Sequence, residues 1–334
     1  MAKKSKKKIN ASPSAADAYV TSTGMCVRST GSQYDVLLDD SAGEVIPCKV
    51  KGNFRLKGIR TTNPVAVGDR VTLLRNADGS AYITAVAPRR NYIIRRASNL
   101  SKEASILAAN LDGCMLVATL KHPVTATTFI DRFLATAEAY SVPATLVINK
   151  TDLLDTDDDR ELLEAVRYLY ESIGYTVVPV SAHTGEGLDR LRELLQGRTT
   201  LLSGNSGVGK STLINDLIPG LDLRTAAISD VHDQGTHTTT FSEMFPIPFG
   251  GWIIDTPGVR GFGTIEMTPQ EVSHYFPEIF RASDECRFGD CSHTHEPGCA
   301  VLKALEENRI AQSRYNSYLS ILNEIDEGKY RAPQ

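Results

Sequence analysis

The chain has 334 residues, 41% hydrophobic and 23% charged, an ordinary globular composition long enough for two or three domains. No apolar run approaches the ~20 residues a membrane-spanning helix needs, so no membrane partner is expected. The net charge of −4 hides an asymmetry: residues 1–96 carry 17 Lys/Arg against 7 Asp/Glu, a net of +10, and the remainder carries −14. A basic N-terminal third on an acidic body suits a polyanion held by one end, and nucleic acid is the usual candidate.

Residues 1–18 begin Met-Ala-Lys-Lys-Ser-Lys-Lys-Lys and hold too little apolar surface to offset ordering entropy, which predicts a mobile basic tail. No apolar segment follows the lysines as a signal peptide requires, so the expected location is the cytoplasm. Residues 19–96 read as five short strands, at 24–29, 33–38, 45–50, 70–74 and 82–86, separated by turn-forming clusters. Five strands in so short a stretch predict a small barrel, with the OB-fold, a common RNA binder, as first choice. Lys49, Lys51, Arg55, Lys57 and Arg60 surround Phe54, and Arg89, Arg90, Arg95 and Arg96 surround Tyr92. Cations beside a ring suit backbone tracking with base stacking; burial of both rings in the barrel is the competing reading.

From 97 to 266 strands and helices alternate. Apolar runs at 112–120, 143–148 and 175–180 read as buried strands, and helical periodicity marks 129–137, 160–172 and 188–195. The pattern predicts an α/β domain with a mostly parallel sheet covered on both faces. At its centre, Thr199-Thr200-Leu201-Leu202 leads into Gly204-Asn205-Ser206-Gly207-Val208-Gly209-Lys210-Ser211, a G-x-x-x-x-G-K-[ST] phosphate loop followed by a helix start. Glycines let successive N–H groups turn toward phosphate oxygens, Lys210 would reach the β- and γ-phosphates, and Ser211 would ligate Mg2+.

The strand at 145–148 ends in Asn149-Lys150-Thr151-Asp152, whose aspartate in GTPases accepts the guanine ring and amino N–H groups, a pairing adenine does not offer. The strand at 175–180 ends in Ser181-Ala182-His183, which resembles the S-A-[KLH] turn that meets guanine O6 through a backbone N–H. After the phosphate loop come Gly235-Thr236-His237-Thr238-Thr239-Thr240 and then Asp255-Thr256-Pro257-Gly258, a D-x-x-G. Asp255 and Thr239 would complete the Mg2+ shell, and the Gly258 N–H would meet the γ-phosphate. Guanine motifs usually follow the phosphate loop; here they precede it, so the domain reads as circularly permuted, with the switch segments running into the C-terminal module.

That module, 267–334, reads as helices at 269–281, 300–307 and 310–325 around Cys286, Cys291, His293, His295 and Cys299. Three thiolates and one imidazole make a closed, structural zinc (Zn2+) site, with His293 the preferred fourth ligand and His295 the alternative.

The permuted order of NKTD, SAH, GNSGVGKS, GTHTTT and DTPG, with a basic barrel before it and C-x4-C-x-H-x5-C after it, resembles the RsgA (YjeQ-type) family. AANLDG at 108–113 and CRFGDCSHTHEPGCAV at 286–301 extend the likeness from about residue 21 to 325. The resemblance implies an OB-fold, a permuted GTPase domain and a zinc-bearing helical domain. It also implies a role in late maturation of the small ribosomal subunit, touching its rRNA, with hydrolysis stimulated by the subunit; the chain itself is expected to be a monomer. It places zinc on Cys286, Cys291, His293 and Cys299, and nucleotide on Asn149, Lys150, Thr151 and Asp152 and on Ser203 through Ser211. Thr236 departs from the long polar side chain that relatives often carry there. Val259 stands where Ras-like enzymes place the glutamine that orients water, so the catalytic role falls on His237, with Lys210 and Thr239 beside it. A phosphate-loop kinase and a non-hydrolysing RNA scaffold are the rival readings.

Overall fold

The computed structural model describes residues 19–50, 64–96, 104–221, 242–255 and 267–326. The expectations placed on residues 1–18, on Phe54 and the cations at 51–60, and on 235–240 and 256–258 lie outside them. Five strands open the described chain: β1 (Tyr19–Ser29), β2 (Tyr34–Leu38), β3 (Val45–Val50), β4 (Arg70–Asn76) and β5 (Ala81–Val86). β1 pairs with both β2 and β4, β3 runs parallel to β5, and β5 returns along β4, so the ring closes as β1-β2-β3-β5-β4. That closure is the OB barrel. Alternation turns Cys26, Val36, Leu38, Val71, Leu73 and Ile83 inward to fill it. Where β1 crosses β2, a Cβ on Gly24 would lie 2.4 Å from the Leu37 carbonyl oxygen, so only glycine fits the close approach.

β6 (Tyr92–Arg96) and β7 (Ala104–Ala109) form an antiparallel ribbon outside the barrel. The junction is braced by ion pairs. Arg89 donates from Nε and Nη2 to the two oxygens of buried Asp69, each at 2.7 Å, and Arg90 bonds Asp112 and the Leu111 carbonyl. Two arginines of the basic stretch at 89–96 are therefore engaged internally, and half-buried Tyr92 leans on Tyr140 with ring centroids 5.5 Å apart.

The nucleotide-loop domain follows as β8 (Gly113–Ala118), α1 (Thr127–Ala139), β9 (Ala144–Ile148), α2 (Asp157–Ile173), β10 (Thr176–Pro179), α3 (Leu188–Leu195), β11 (Arg198–Ser203), α4 (Lys210–Leu217), β12 (Ser242–Pro246) and β13 (Gly251–Asp255). Its strands lie in the order β10-β9-β8-β11-β13-β12, all parallel except β12. Period-two alternation splits each strand between two cores. Cys114, Leu116, Ala118, Leu146 and Ile148 face α1 and α2, while Met115, Val117, Val147 and Leu202 face α3 and α4. α2 starts at Asp157, three residues before the expected 160, at a capping box between Thr156 and Asp159 with Asp157 and Asp158 favouring the dipole.

β12 was not legible as a strand: Ser-Glu-Met-Phe-Pro is short, half polar and ends in proline. It stands next to the barrel, where Ser242 and Glu243 pair antiparallel with Ser29 and Arg28 of β1. Barrel and domain thereby share one sheet of eleven strands.

The C-terminal module contains α5 (Pro277–Ser283), α6 (Ala300–Glu306) and α7 (Gln312–Asp326). The single helix expected over 269–281 is divided: a 3-10 turn, Val272–Tyr275, ends at Phe276, whose φ of −117° and ψ of 93° are extended. Pro277 imposes this, because its ring crowds a helical preceding residue while suiting the first position of the next helix. Val272, Phe276, Ile279, Val301, Ala304 and Tyr318 form the core, and Ala135 of α1 enters it from the neighbouring domain. No helix among the described residues is long and apolar enough to cross a membrane.

Candidate nucleotide and metal sites

The C-terminal ends of β8, β9, β10, β11 and β13 lie side by side, the edge where open α/β sheets hold ligands. β11 delivers the phosphate loop. Gly204 has φ of 148° and a Cβ there would lie 2.3 Å from the Val117 carbonyl oxygen, pressing the loop onto β8. Gly207 and Gly209 have φ of 80° and 91°, so the loop curls around an inner face lined by backbone. Val208 anchors it, fully buried among the α3 and α4 residues. Lys210 opens α4 and folds back, donating to the carbonyls of Gly204 at 2.5 Å and Asn205 at 2.8 Å. Burial pulls its ammonium below the usual lysine range, against the opposing charge of Asp255.

Asn149 gathers the rest. It is buried; its Nδ2 donates to the Val208 carbonyl at 2.8 Å and its Oδ1 accepts the Ala182 N–H at 3.2 Å. One amide thus joins the turn after β9, the turn after β10 and the phosphate loop. Asp152 stands exposed, with one carboxylate oxygen fixed by the buried Ser181 hydroxyl at 2.6 Å. The Thr151 N–H bonds Val180 at 3.2 Å, and Lys150 adopts φ of 65°. Ser203, Asn205, Ser206 and half-buried Ser211 complete the loop, and Asp255 ends β13 alongside Leu202. His237, Thr239 and Gly258 lie outside the described residues.

The arrangement offers a glycine-rich loop packed on Asn149, whose Nδ2 would lie 2.4 Å from a Cβ at Gly209, and a carboxylate acceptor in Asp152 that suits a base with two adjacent N–H groups. The Ser211 hydroxyl and Asp255 carboxylate are hard oxygen donors of the kind Mg2+ takes. Two features were missed in the sequence. The segment 119–125 after β8 reaches this edge, signalled only by a Lys-His-Pro turn. Glu186 reaches the Thr151 hydroxyl at 3.5 Å.

In the C-terminal module the ligand atoms of Cys286, Cys291, His293 and Cys299 all lie within 4.8 Å of one another. His293 Nδ1 is 3.6 Å from both Cys286 and Cys299 Sγ, and those sulfurs are 4.0 Å apart. Zinc–sulfur bonds of about 2.3 Å give a tetrahedral edge of about 3.8 Å, so the donor set and spacing fit that ion. His295 is exposed and turned to the Thr294 hydroxyl at 2.7 Å. The Tyr315 hydroxyl donates to the His293 carbonyl and that of Tyr318 to Ser292, holding the loop that carries the ligands. Burial lowers the His293 imidazole, favouring the neutral form a metal requires.

Residues 86–265 match the RsgA GTPase family, and residues 23–83 match the RsgA N-terminal domain. A protein of Bacteroides fragilis named small ribosomal subunit biogenesis GTPase RsgA is 60% identical over 309 residues, spanning 92% of this chain and 99% of its own length. The chain belongs to the RsgA GTPase family. Another relative so named, from Porphyromonas gingivalis, is 60% identical over 313 residues, covering 92% of this chain and 98% of itself. YjeQ from Thermotoga maritima superposes with a TM-score of 0.72 at 36% identity, covering 91% of this chain and 98% of that one. YloQ, described as a circularly permuted GTPase, gives 0.69 at 28%, covering 97% and 100%. As an RsgA-family member the chain is a GTP hydrolase, and its strand order carries the family's permutation.

Proposed function

We propose that this chain hydrolyses GTP on the small ribosomal subunit late in that particle's maturation, and that the subunit stimulates the reaction. The observation that carries the reading is Asn149, whose one amide ties the base-reading turns to the phosphate loop. The names of the B. fragilis and P. gingivalis relatives support the small subunit as partner, and the basic barrel suits its rRNA.

In this reading Asn149, Lys150, Thr151, Asp152, Ser181 and Ala182 hold the guanine. Residues 203–211 and the Gly258 N–H hold the phosphates. Lys210 exchanges the Gly204 and Asn205 carbonyls for β- and γ-phosphate oxygens. Ser211, Thr239 and Asp255 would hold Mg2+, which when bound neutralises charge on the transferring phosphoryl group. His237 positions the attacking water, a task Val259 has no polar atom to perform. The zinc ion held by Cys286, Cys291, His293 and Cys299 is structural. The divisions are 19–96 for RNA contact, 97–266 for chemistry and 267–334 for passing nucleotide state onward from the switch segments. The protein works as a cytoplasmic monomer.

GTP turnover by the purified chain, with and without small subunits and with ATP as control, tests this. Alone the rate should be roughly 10⁻⁴ to 10⁻² per second, as in uncompleted GTPase sites. Subunits should raise it, and His237→Ala should remove the increase while leaving GTP binding intact. Stimulation that survives this substitution would refute the role of His237.

A further inference from the structure

All four residues of the Asn149–Asp152 turn make side-chain ties: Asn149 to the phosphate loop, Thr151 to Glu186, Asp152 to Ser181, and Lys150 to a segment with no assigned role. The Lys150 ammonium donates to the His122 carbonyl at 2.5 Å. From the way this segment is fastened we infer that residues 119–125 form a further wall of the guanine-nucleotide site. Within it, buried Thr125 is a positioning residue that fixes where Lys150 points. The inference rests on the guanine reading above.

The segment is closed on itself at its base. The Thr125 N–H donates to the Thr119 carbonyl at 2.8 Å, the Thr119 N–H donates to the Thr125 hydroxyl at 3.0 Å, and the Thr119 hydroxyl bonds the Pro123 carbonyl. Thr119 and Thr125 are both buried, whereas His122, Pro123 and Val124 are exposed at the tip. On one side the tip meets the phosphate loop, since a Cβ on Gly207 would lie 3.5 Å from Pro123 Cδ. On the other, Lys121 is ion-paired with Asp159 at 2.5 Å and Asp155 at 3.5 Å, beside the start of α2.

Through Lys150 of the base-reading turn and Gly207 of the phosphate loop, the segment meets both stretches between which the nucleotide would lie. Its carbonyl supplies a fixed anchor beyond the base. A lysine carries a flexible four-carbon stem, and holding its far end in advance lets that stem lie across the ring without ordering at the moment of binding. The Thr125 hydroxyl sets the anchor's position by closing the turn.

The test is a titration of the full chain with a fluorescent GDP analogue. Thr125→Val keeps the shape and removes the acceptor, and Thr125→Ser keeps the hydroxyl. Exposed Pro123→Ala loosens the tip without touching the core and carries the test if Thr125→Val does not fold. Coupled sites predict about a fivefold weakening for Thr125→Val, about threefold for Pro123→Ala, and near wild-type affinity for Thr125→Ser. In a Lys150→Met background, neither Thr125→Val nor Pro123→Ala should weaken binding further. Wild-type affinity in Thr125→Val and Pro123→Ala, or an undiminished loss without the Lys150 amine, would overturn the inference. Failure of the guanine reading itself shows separately, as equal binding of GDP and ADP by the unaltered chain.

Discussion

Arg314 Nη1 lies 2.8 Å from Asp131 Oδ1, with both side chains wholly sealed from solvent, and this pair joins α7 of the zinc module to α1 of the GTPase domain. Asp131 also accepts the Tyr170 hydroxyl at 2.8 Å and the Ser317 hydroxyl at 2.6 Å. Arg314 reaches Glu278 with Nε at 2.7 Å and lies 4.6 Å over the Phe276 ring. One cation serves two carboxylates, Asp131 wholly buried and Glu278 partly so, and its removal leaves Asp131 as an uncompensated buried charge. Arg314→Met should lower stability by about 3–5 kcal/mol, the cost of breaking a buried pair. Urea unfolding reads this, and a loss under about 1 kcal/mol would mean that water reaches the cluster.

Gly209→Ala should cripple nucleotide binding. A Cβ there would lie 2.4 Å from Asn149 Nδ2, and the backbone φ of 91° is one that alanine resists. Strain of about 1–2 kcal/mol adds to the displaced amide, so affinity for GDP should fall at least about tenfold. Near-normal affinity by calorimetry would show that Asn149 can move without consequence.

Metal content separates the two histidines. The purified chain should carry one zinc ion; His293→Ala should lose it and His295→Ala should keep it, measured by atomic absorption. Structural zinc contributes on the order of 10 kcal/mol to small domains, so chelation should also unfold the helices around the Phe276 core. Retained zinc in His293→Ala would point to a different fourth ligand.

Asp159 reports the tie between the 119–125 segment and α2. Hydrogen bonding from Lys121, then from Thr156, holds its carboxyl down at about 2. Its ordinary value is 3.8, so the stabilisation is complete above that pH and is lost as pH falls toward 2. A carbon-detected NMR titration should give this low midpoint, and Lys121→Met should raise it. An unmoved midpoint in the variant would remove the lysine from the account.

The sites reachable from sequence were those in which residue type and spacing are themselves the chemistry. Glycines of the phosphate loop, the NKTD turn and the three cysteines each have few other uses. The barrel was readable because turn clusters punctuate it. Long-range relations left weaker traces. Asp131 and Arg314 are separated by most of the chain, and each reads as a surface charge on an amphipathic helix. β12 is too short and polar to announce itself, and it takes its place through partners on either side. The break at Phe276 was legible in Pro277, and helical periodicity across 269–281 concealed it.

The pairing of Ser29 and Arg28 with Ser242 and Glu243 has a consequence for how the enzyme meets other proteins. The rim of a GTPase sheet is open backbone onto which a foreign strand can zip, and there the chain's own barrel is already seated. A shortened chain starting after β5 would bare Ser242 and Glu243 and should self-associate there, whereas in the intact molecule β1 already holds them.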